Sequence, residues 1–295
     1  MDVDLALVRR LEASAATTTL HLVEAMCAND PASRAVGVPM FGGALIVTGP
    51  DRYVNRAMGV SLDERSSDEI DAIQQFYRDH ELPAALEVAS WAPPTTIAEL
   101  SRRNFRLGWF RAMFAISPAE RAGTALTGPT LTGTALTGPR LAGTTDSTAG
   151  GGVQIVAVDR ANEDTWLQTF AVGSGVLDSH ARDISDEFAR ATRACRDTYI
   201  FMATIGGQAA GCGTLQITGG IAWVGGAATL PEFRRRGVQA ALLSHRVRLA
   251  ADLECDLVAA TAVPSGQSAR NLVHLGFQHV QTQVVLEQKD HNNQV

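Results

Sequence analysis

Apolar residues near the start of the chain recur at helical spacing. Leu5, Val8, Leu11, Leu20 and Val23 predict a helix over 2–26. Short apolar runs then predict strands over 43–47 and 53–60, joined by a Gly49-Pro50-Asp51 turn. Ile70, Ile73 and Phe76 lie on one face of a helix predicted over 67–80, with Ser67 as its cap. A short strand over 84–88, a helix over 95–104 capped by Thr95 or Thr96, and a long strand over 105–116 complete this half. The second half predicts a strand over 153–158 and helices over 162–170 and 185–196. Three antiparallel strands follow over 199–205, 208–217 and 221–230, separated by glycine turns. A helix runs to about Ala251, and then come a buried strand over 256–262, a short helix bearing Asn271 and a final strand over 277–286. The fold class is therefore α/β of the α+β kind.

The periodicity fails between the halves. Thr124-Ala125-Leu126-Thr127-Gly128-Pro129 recurs as Thr134-Ala135-Leu136-Thr137-Gly138-Pro139, and charge is almost absent. Such a stretch gains little from burial and loses full conformational entropy on ordering, so a Gly/Thr/Pro-rich linker is expected over 121–152. Domains are expected over 1–120 and 153–295, which suits a chain of 295 residues.

Composition narrows the function classes. An apolar share of 45% supports real cores, and a net charge of −6 argues against a general nucleic-acid binder. No apolar run approaches the roughly 18 residues that span a bilayer, so no membrane partner is expected. The start, Met1-Asp2-Val3-Asp4, lacks the basic-then-apolar order of a secretory signal, and a cytoplasmic protein is expected. Cys27, Cys195, Cys212 and Cys255 are scattered without ligand-like pairing, so reduced thiols and no metal are expected.

One segment carries chemistry. After the 221–230 strand and a Pro231-Glu232-Phe233 turn, Arg234-Arg235-Arg236-Gly237-Val238-Gln239-Ala240 opens a helix. The first N–H groups of a helix have no internal partner and sit at its positive dipole end. Glycine lets the main chain approach an anion that a Cβ would block. Three arginines add charge, and the arrangement reads as a cradle for the diphosphate of a small cofactor.

This segment resembles the acyl-CoA loop of the GCN5-related N-acetyltransferases, the GNAT superfamily, in which Arg/Gln-x-x-Gly-x-Gly/Ala follows the fourth strand. Arg234 and Gly237 match; Gln239 stands in place of the second glycine, with Ala240 one step later. The likeness continues through Pro264-Ser265-Gly266-Gln267-Ser268-Ala269-Arg270-Asn271 to Leu275-Gly276-Phe277 and covers roughly 195–287. The resemblance implies two GNAT-like units, each a mixed, mostly antiparallel sheet flanked by helices. The corresponding stretch of the first half, Ser61-Leu62-Asp63-Glu64-Arg65-Ser66-Ser67, lacks the glycine and is more acidic than basic. The first unit is thus expected to be a degenerate partner.

The resemblance also implies roles. Acetyl-CoA or another acyl-CoA would be the cofactor and a small-molecule amine the acceptor. Arg234, Arg235, Arg236, Gly237, Val238, Gln239 and Ala240 would hold the diphosphate. Ala227, Ala228 and Thr229 would pair with the pantetheine arm, and an amide of that strand would polarise the acyl carbonyl. Ser268 and Asn271 would contact the arm, although both residue types also cap helices well. Many members carry a tyrosine as general acid where this chain has Leu272. Glu232 as a base and His274 near the thiol are the remaining catalytic candidates, while His245 reads as a core residue of the loop helix. The missing tyrosine keeps a second reading open, a non-catalytic acyl-CoA sensor or assembly protein. A nucleotide loop is a poor fit, because no Gly-x-x-x-x-Gly-Lys-Ser/Thr run exists.

Overall fold

The computed structural model describes residues 1–119, 146–149, 152–176 and 178–288. They form two compact units. The first takes the described residues within Met1–Ala115, Thr261–Val273 and Phe277–Val295; the second takes those within Ile116–Ala260 and His274–Gly276.

Unit 1 begins with α1 (Leu5–Asn29), whose N-cap Asp4 accepts a hydrogen bond from the Leu7 N–H. A hairpin of β1 (Val36–Met40) and β2 (Gly43–Val47) follows, turning through Phe41 and Gly42, both at positive φ. Next come β3 (Arg56–Met58), α2 (Ser67–Asp79), β4 (Ala85–Ala89), α3 (Pro94–Arg102) and β5 (Phe105–Ile116). The sequence pattern predicts no β1 and too long a β3. Asn55 accounts for the shorter strand: its side chain accepts from the Thr48 N–H and donates to the Gly49 carbonyl, tying residues 49–55 into a turn.

Two helix starts also differ from expectation. The cap of α2 is Ser66, not Ser67, in a capping box with Glu69. Neither Thr95 nor Thr96 caps α3, which starts at Pro94 because proline suits the first helical turn. Thr96 instead donates to the Asp63 carbonyl and accepts from the Arg65 N–H, pinning the 61–67 stretch.

The strand order of unit 1 is β1-β2-β3-β4-β12-β5. Here β12 (Gln278–Gln288) comes from the far end of the sequence and pairs antiparallel with both β4 and β5. One face packs Leu45, Ala57, Leu86 and Val88 against Ile70, Ile73 and Tyr77 of α2 and Leu100 of α3, with Val284 and Leu286 of β12 alongside. The alternate residues of β12, Gln281 and Gln283, are buried on the other face, where Glu12 of α1 accepts hydrogen bonds from both.

Unit 2 contains β6 (Asp146–Ala149), β7 (Val153–Ala157), α4 (Glu163–Gly173), α5 (Ser179–Ala194), β8 (Thr198–Ile205), β9 (Gln208–Thr218), β10 (Ile221–Thr229) and α6 (Val238–Asp252). The strand β11 (Leu257–Ala262) begins here, and α7 (Gln267–His274) follows it. Most of the spacer expected over 121–152 lies outside the described residues, but Asp146–Ala149 pair antiparallel with β7 as a strand. Helix α5 starts six residues before its expected position, capped by Asp178 and braced by Arg182 to Asp186 one turn on.

The order is β11-β10-β9-β8-β7-β6, with β10 and β11 parallel and the other pairs antiparallel. Trp166 and Leu167 of α4 and Ala189 of α5 pack on Ile200, Met202, Cys212 and Ala228. The flanking Gly211 and Gly213 approach Val238 and Arg246 of α6 instead, so α6 lies against the other face.

Candidate functional site

The middle of β10 is irregular. Its pairing with β11 runs only from Ile221 to Trp223, opposite Leu257 to Ala259. On the β9 side the register shifts between Gly225 and Ala228, a bulge with Gly226 at φ 52°. A Cβ at Gly226 would meet Thr214 Cγ2 at 2.8 Å. Beyond the bulge β10 pairs with β9 again, through Ala228 and Thr229, and the Leu230 N–H donates to the Ala210 carbonyl. Gly225 and Ala227 are exposed, although β10 is an inner strand of the unit's sheet. Parted from β11, this segment leaves main-chain groups for a partner other than the sheet. Ala227, Ala228 and Thr229 lie here, with Ala228 buried and Thr229 half-buried.

The strand ends in a 3-10 turn, Pro231–Phe233, that buries Phe233. Arg234 to Gly237 form a turn with all four residues exposed. Arg235 sits at φ 60° and Gly237 at φ 79°, both left-handed. Gly237 is the N-cap of α6, and no side chain caps the helix. The opening N–H groups, at Val238, Gln239 and Ala240, thus lie at the positive end of the helix dipole. The Arg236 guanidinium stacks 5.3 Å from the Phe233 ring centre. The remaining sequence-predicted residues are placed apart in the chain. Ser268 is exposed on α7; Asn271 is half-buried and accepts from Gln267 at 2.8 Å. That part of α7 belongs to unit 1, whereas Ala227–Ala240 belong to unit 2.

Of the catalytic candidates, Glu232 is exposed in the 3-10 turn and His274 is exposed at the end of α7. Leu272 is buried. His245 packs edge-on against Phe201 with ring centres 4.7 Å apart, in keeping with a packing role. Tyr199 lies on β8, and burial raises its phenol above the usual range.

One residue of this region is not found by sequence reading. Arg246 is 1% exposed, inside the apolar stripe of α6. Its Nη1 donates to the Thr214 carbonyl at 2.9 Å and the Gly225 carbonyl at 3.0 Å. The signal was available: Val238, Leu242 and Arg246 are spaced four apart, which puts Arg246 on the core face.

A sequence profile described as the Acetyltransferase (GNAT) family matches residues 155–277, a span that holds the β10 bulge, the arginine loop and α7. This region belongs to the GNAT acetyltransferase family. No curated protein matches the chain in sequence. Solved structures similar in fold span nearly its whole length. A GCN5-related N-acetyltransferase from Kribbella flavida has TM-score 0.60 and 16% identity, covering 96% of this chain and 97% of its own. A functionally unknown conserved protein from Staphylococcus epidermidis has TM-score 0.58 and 12% identity, covering 89% and 97%. A tandem GNAT protein from the clavulanic acid biosynthesis pathway has TM-score 0.51 and 13% identity, covering 95% and 98%. The chain thus has a tandem GNAT fold. The GNAT fold binds acyl-CoA, and its family-level chemistry is acyl transfer from CoA.

Proposed function

We propose that this GNAT protein is an N-acyltransferase that moves an acetyl or other acyl group from CoA to an amine of a small-molecule acceptor. The observation that carries the reading is the left-handed Gly237 at the uncapped start of α6, directly after the bulged β10. The donors there suit a diphosphate: amides at the positive end of a helix, a glycine where a side chain would be strained, and three exposed arginines. Acyl-CoA, when bound, supplies the thioester acyl group.

The chain's own groups then have distinct tasks. Val238, Gln239 and Ala240 offer their amides to the phosphates, and Arg234, Arg235 and Arg236 add charge. The β10 edge at Ala227, Ala228 and Thr229 aligns the pantetheine amides as an added strand, and an amide beside the bulge polarises the acyl carbonyl. Ser268 and Asn271 have polar side chains suited to hydrogen bonds with amides. Glu232 accepts the acceptor's proton directly or through water, and His274 steadies the thiol side. A net charge of −6 suits a basic acceptor better than a nucleic acid. The clavulanic acid pathway protein of similar fold points toward small-molecule chemistry.

A buried Leu272, where many relatives hold a tyrosine, favours a second reading, a non-catalytic acyl-CoA sensor or assembly protein. Calorimetry with CoA and a thiol-release assay with acetyl-CoA and a panel of amines separate the two. Binding with turnover is the expected result. Binding without turnover on any amine would leave the sensor, and no binding would remove both. Gly237→Val should abolish CoA binding, whereas Glu232→Gln should slow turnover only.

A further inference from the structure

We propose that Arg246 is a positioning residue that aims the Gly226 N–H at the acyl carbonyl by holding the Gly225 carbonyl from behind. The inference rests on the acyl-CoA reading above and deepens it.

A buried guanidinium ordinarily faces a carboxylate, because an uncompensated internal charge is costly. Arg246 does not. Its acceptors are three main-chain carbonyls: Leu242 to Nε at 3.1 Å, and Thr214 and Gly225 to Nη1 at 2.9 and 3.0 Å. Burial draws its pKa down to about 10, so it stays charged at neutral pH. The sheet makes room for it. A Cβ on Gly213 would meet Arg246 Cζ at 2.7 Å, and Gly213 is not among the positive-φ glycines. Space for the guanidinium, rather than backbone conformation, is the reason for glycine there.

The location gives the charge a task. Thr214 and Gly225 are the last matched pair before the β9–β10 register shifts. A bulge leaves ladder groups there without their regular partners, and one Nη1 bridges the two carbonyls. The peptide joining Gly225 to Gly226 is trans, so its N–H points opposite to its C=O. With the carbonyl drawn toward α6, the Gly226 N–H is directed away from α6. Gly226 has a φ of 52° and little steric restraint of its own, so without Arg246 this peptide would be free to rotate. A second anchor holds the next peptide: Cys212 Sγ donates to the Gly226 carbonyl at 3.6 Å. Donors aimed in advance at developing charge are worth more than donors that must reorganise during reaction.

The test uses the full chain with acetyl-CoA carrying a 13C label at the carbonyl. Calorimetry first establishes CoA affinity; its absence in the unaltered protein would overturn the acyl-CoA reading itself. Isotope-edited infrared spectroscopy then reads the bound carbonyl, which a hydrogen bond shifts to lower frequency whether or not turnover follows. In Arg246→Met the band should move back toward that of free acetyl-CoA, with CoA affinity within about threefold of the original because the phosphate cradle is intact. Arg246→Lys should restore part of the frequency change. Gly213→Ala, which leaves Arg246 in the chain but crowds its guanidinium, should reproduce the Met variant's spectrum and covers the case in which that variant does not fold. Where turnover is measurable, kcat should fall by about 10- to 100-fold with little change in KM. A carbonyl band at the free-ligand frequency in the unaltered protein, a lowered frequency that survives in Gly213→Ala and Arg246→Met, or a parallel collapse of CoA affinity would each overturn the assignment.

Discussion

Arg56 and Glu87 form an ion pair inside unit 1, Nε to Oε2 at 2.8 Å, with side chains only 3% and 1% exposed. Arg111 reaches the same Oε2 at 2.6 Å, and Gln283 of β12 donates to Oε1 at 2.6 Å. Burial alone would raise the Glu87 carboxyl, but Arg111 and Arg56 outweigh it and hold the group below the usual range. One carboxylate thus pairs with two guanidiniums and ties together β3, β4, β5 and β12. Removing it leaves the buried Arg56 and the half-buried Arg111 without their shared counter-charge. Glu87→Gln should destabilise the protein by roughly 3–5 kcal/mol, seen as a lower urea midpoint.

Glu12, on the same face, behaves in the opposite sense. Burial, reinforced by the nearby charge of Glu87, raises its carboxyl to about 8 despite hydrogen bonds from Gln281 and Gln283 and the charge of Arg111. The unfolded carboxyl titrates near 4.5. Between those values the folded chain holds a proton that the unfolded chain has released. The contribution of Glu12 therefore favours folding at pH 5 and weakens steadily up to about pH 8, then stays level. Urea midpoints should fall between pH 5.5 and 8.5. The stability lost over that range should be a few kcal/mol, because one retained proton costs about 1.4 kcal/mol for every pH step of one. Glu12→Gln should flatten that part of the profile.

The start of α2 depends on a reciprocal pair. The Glu69 N–H donates to Ser66 Oγ at 3.2 Å, and the Ser66 N–H donates to Glu69 Oε2 at 2.8 Å. Ser66→Ala should cost about 1 kcal/mol and Ser66→Gly only a few tenths, because glycine exposes the same amide to water. Chemical denaturation of the two variants side by side measures the difference.

Arg235 offers a test in which stability and binding move apart. At φ 60° it occupies a conformation that costs a side-chain-bearing residue about 1 kcal/mol. Arg235→Gly relieves that strain while the unfolded chain gains freedom, so the net gain should be under about 1 kcal/mol. The same change removes an exposed guanidinium from the proposed cradle and should weaken CoA binding several-fold. Thermal unfolding and calorimetry on one preparation read both effects.

Much of the fold and of the proposed cradle was legible because the signals are local. The loop from Arg234 to Ala240 declares itself through a strand, a glycine and a helix start that follow one another in the chain, and β8, β9 and β10 through alternation and glycine turns. Short elements in unusual surroundings were harder. Pro39 obscured β1, and the Asn55 turn took half of the expected third strand. Arg246 and Glu12 escape sequence reading for a common reason: a charged residue in a helical stripe reads as solvated unless its surroundings are known. What makes them internal is a set of carbonyls on other strands in one case and two glutamines about 270 residues away in the other.

By itself the sequence determined the mixed α/β class, most helices and strands, and the glycine turn that opens α6, since propensity, capping and periodicity act over a few residues. Tertiary structure decided that β12 joins β4 and β5, that Arg246 sits behind the β10 bulge, and that Glu12, Glu87, Arg56 and Arg111 share one interior. Strand neighbours are chosen by matching whole edges and faces, and a buried charge is tolerated only where distant groups converge on it. Neither condition is written in any short stretch of chain.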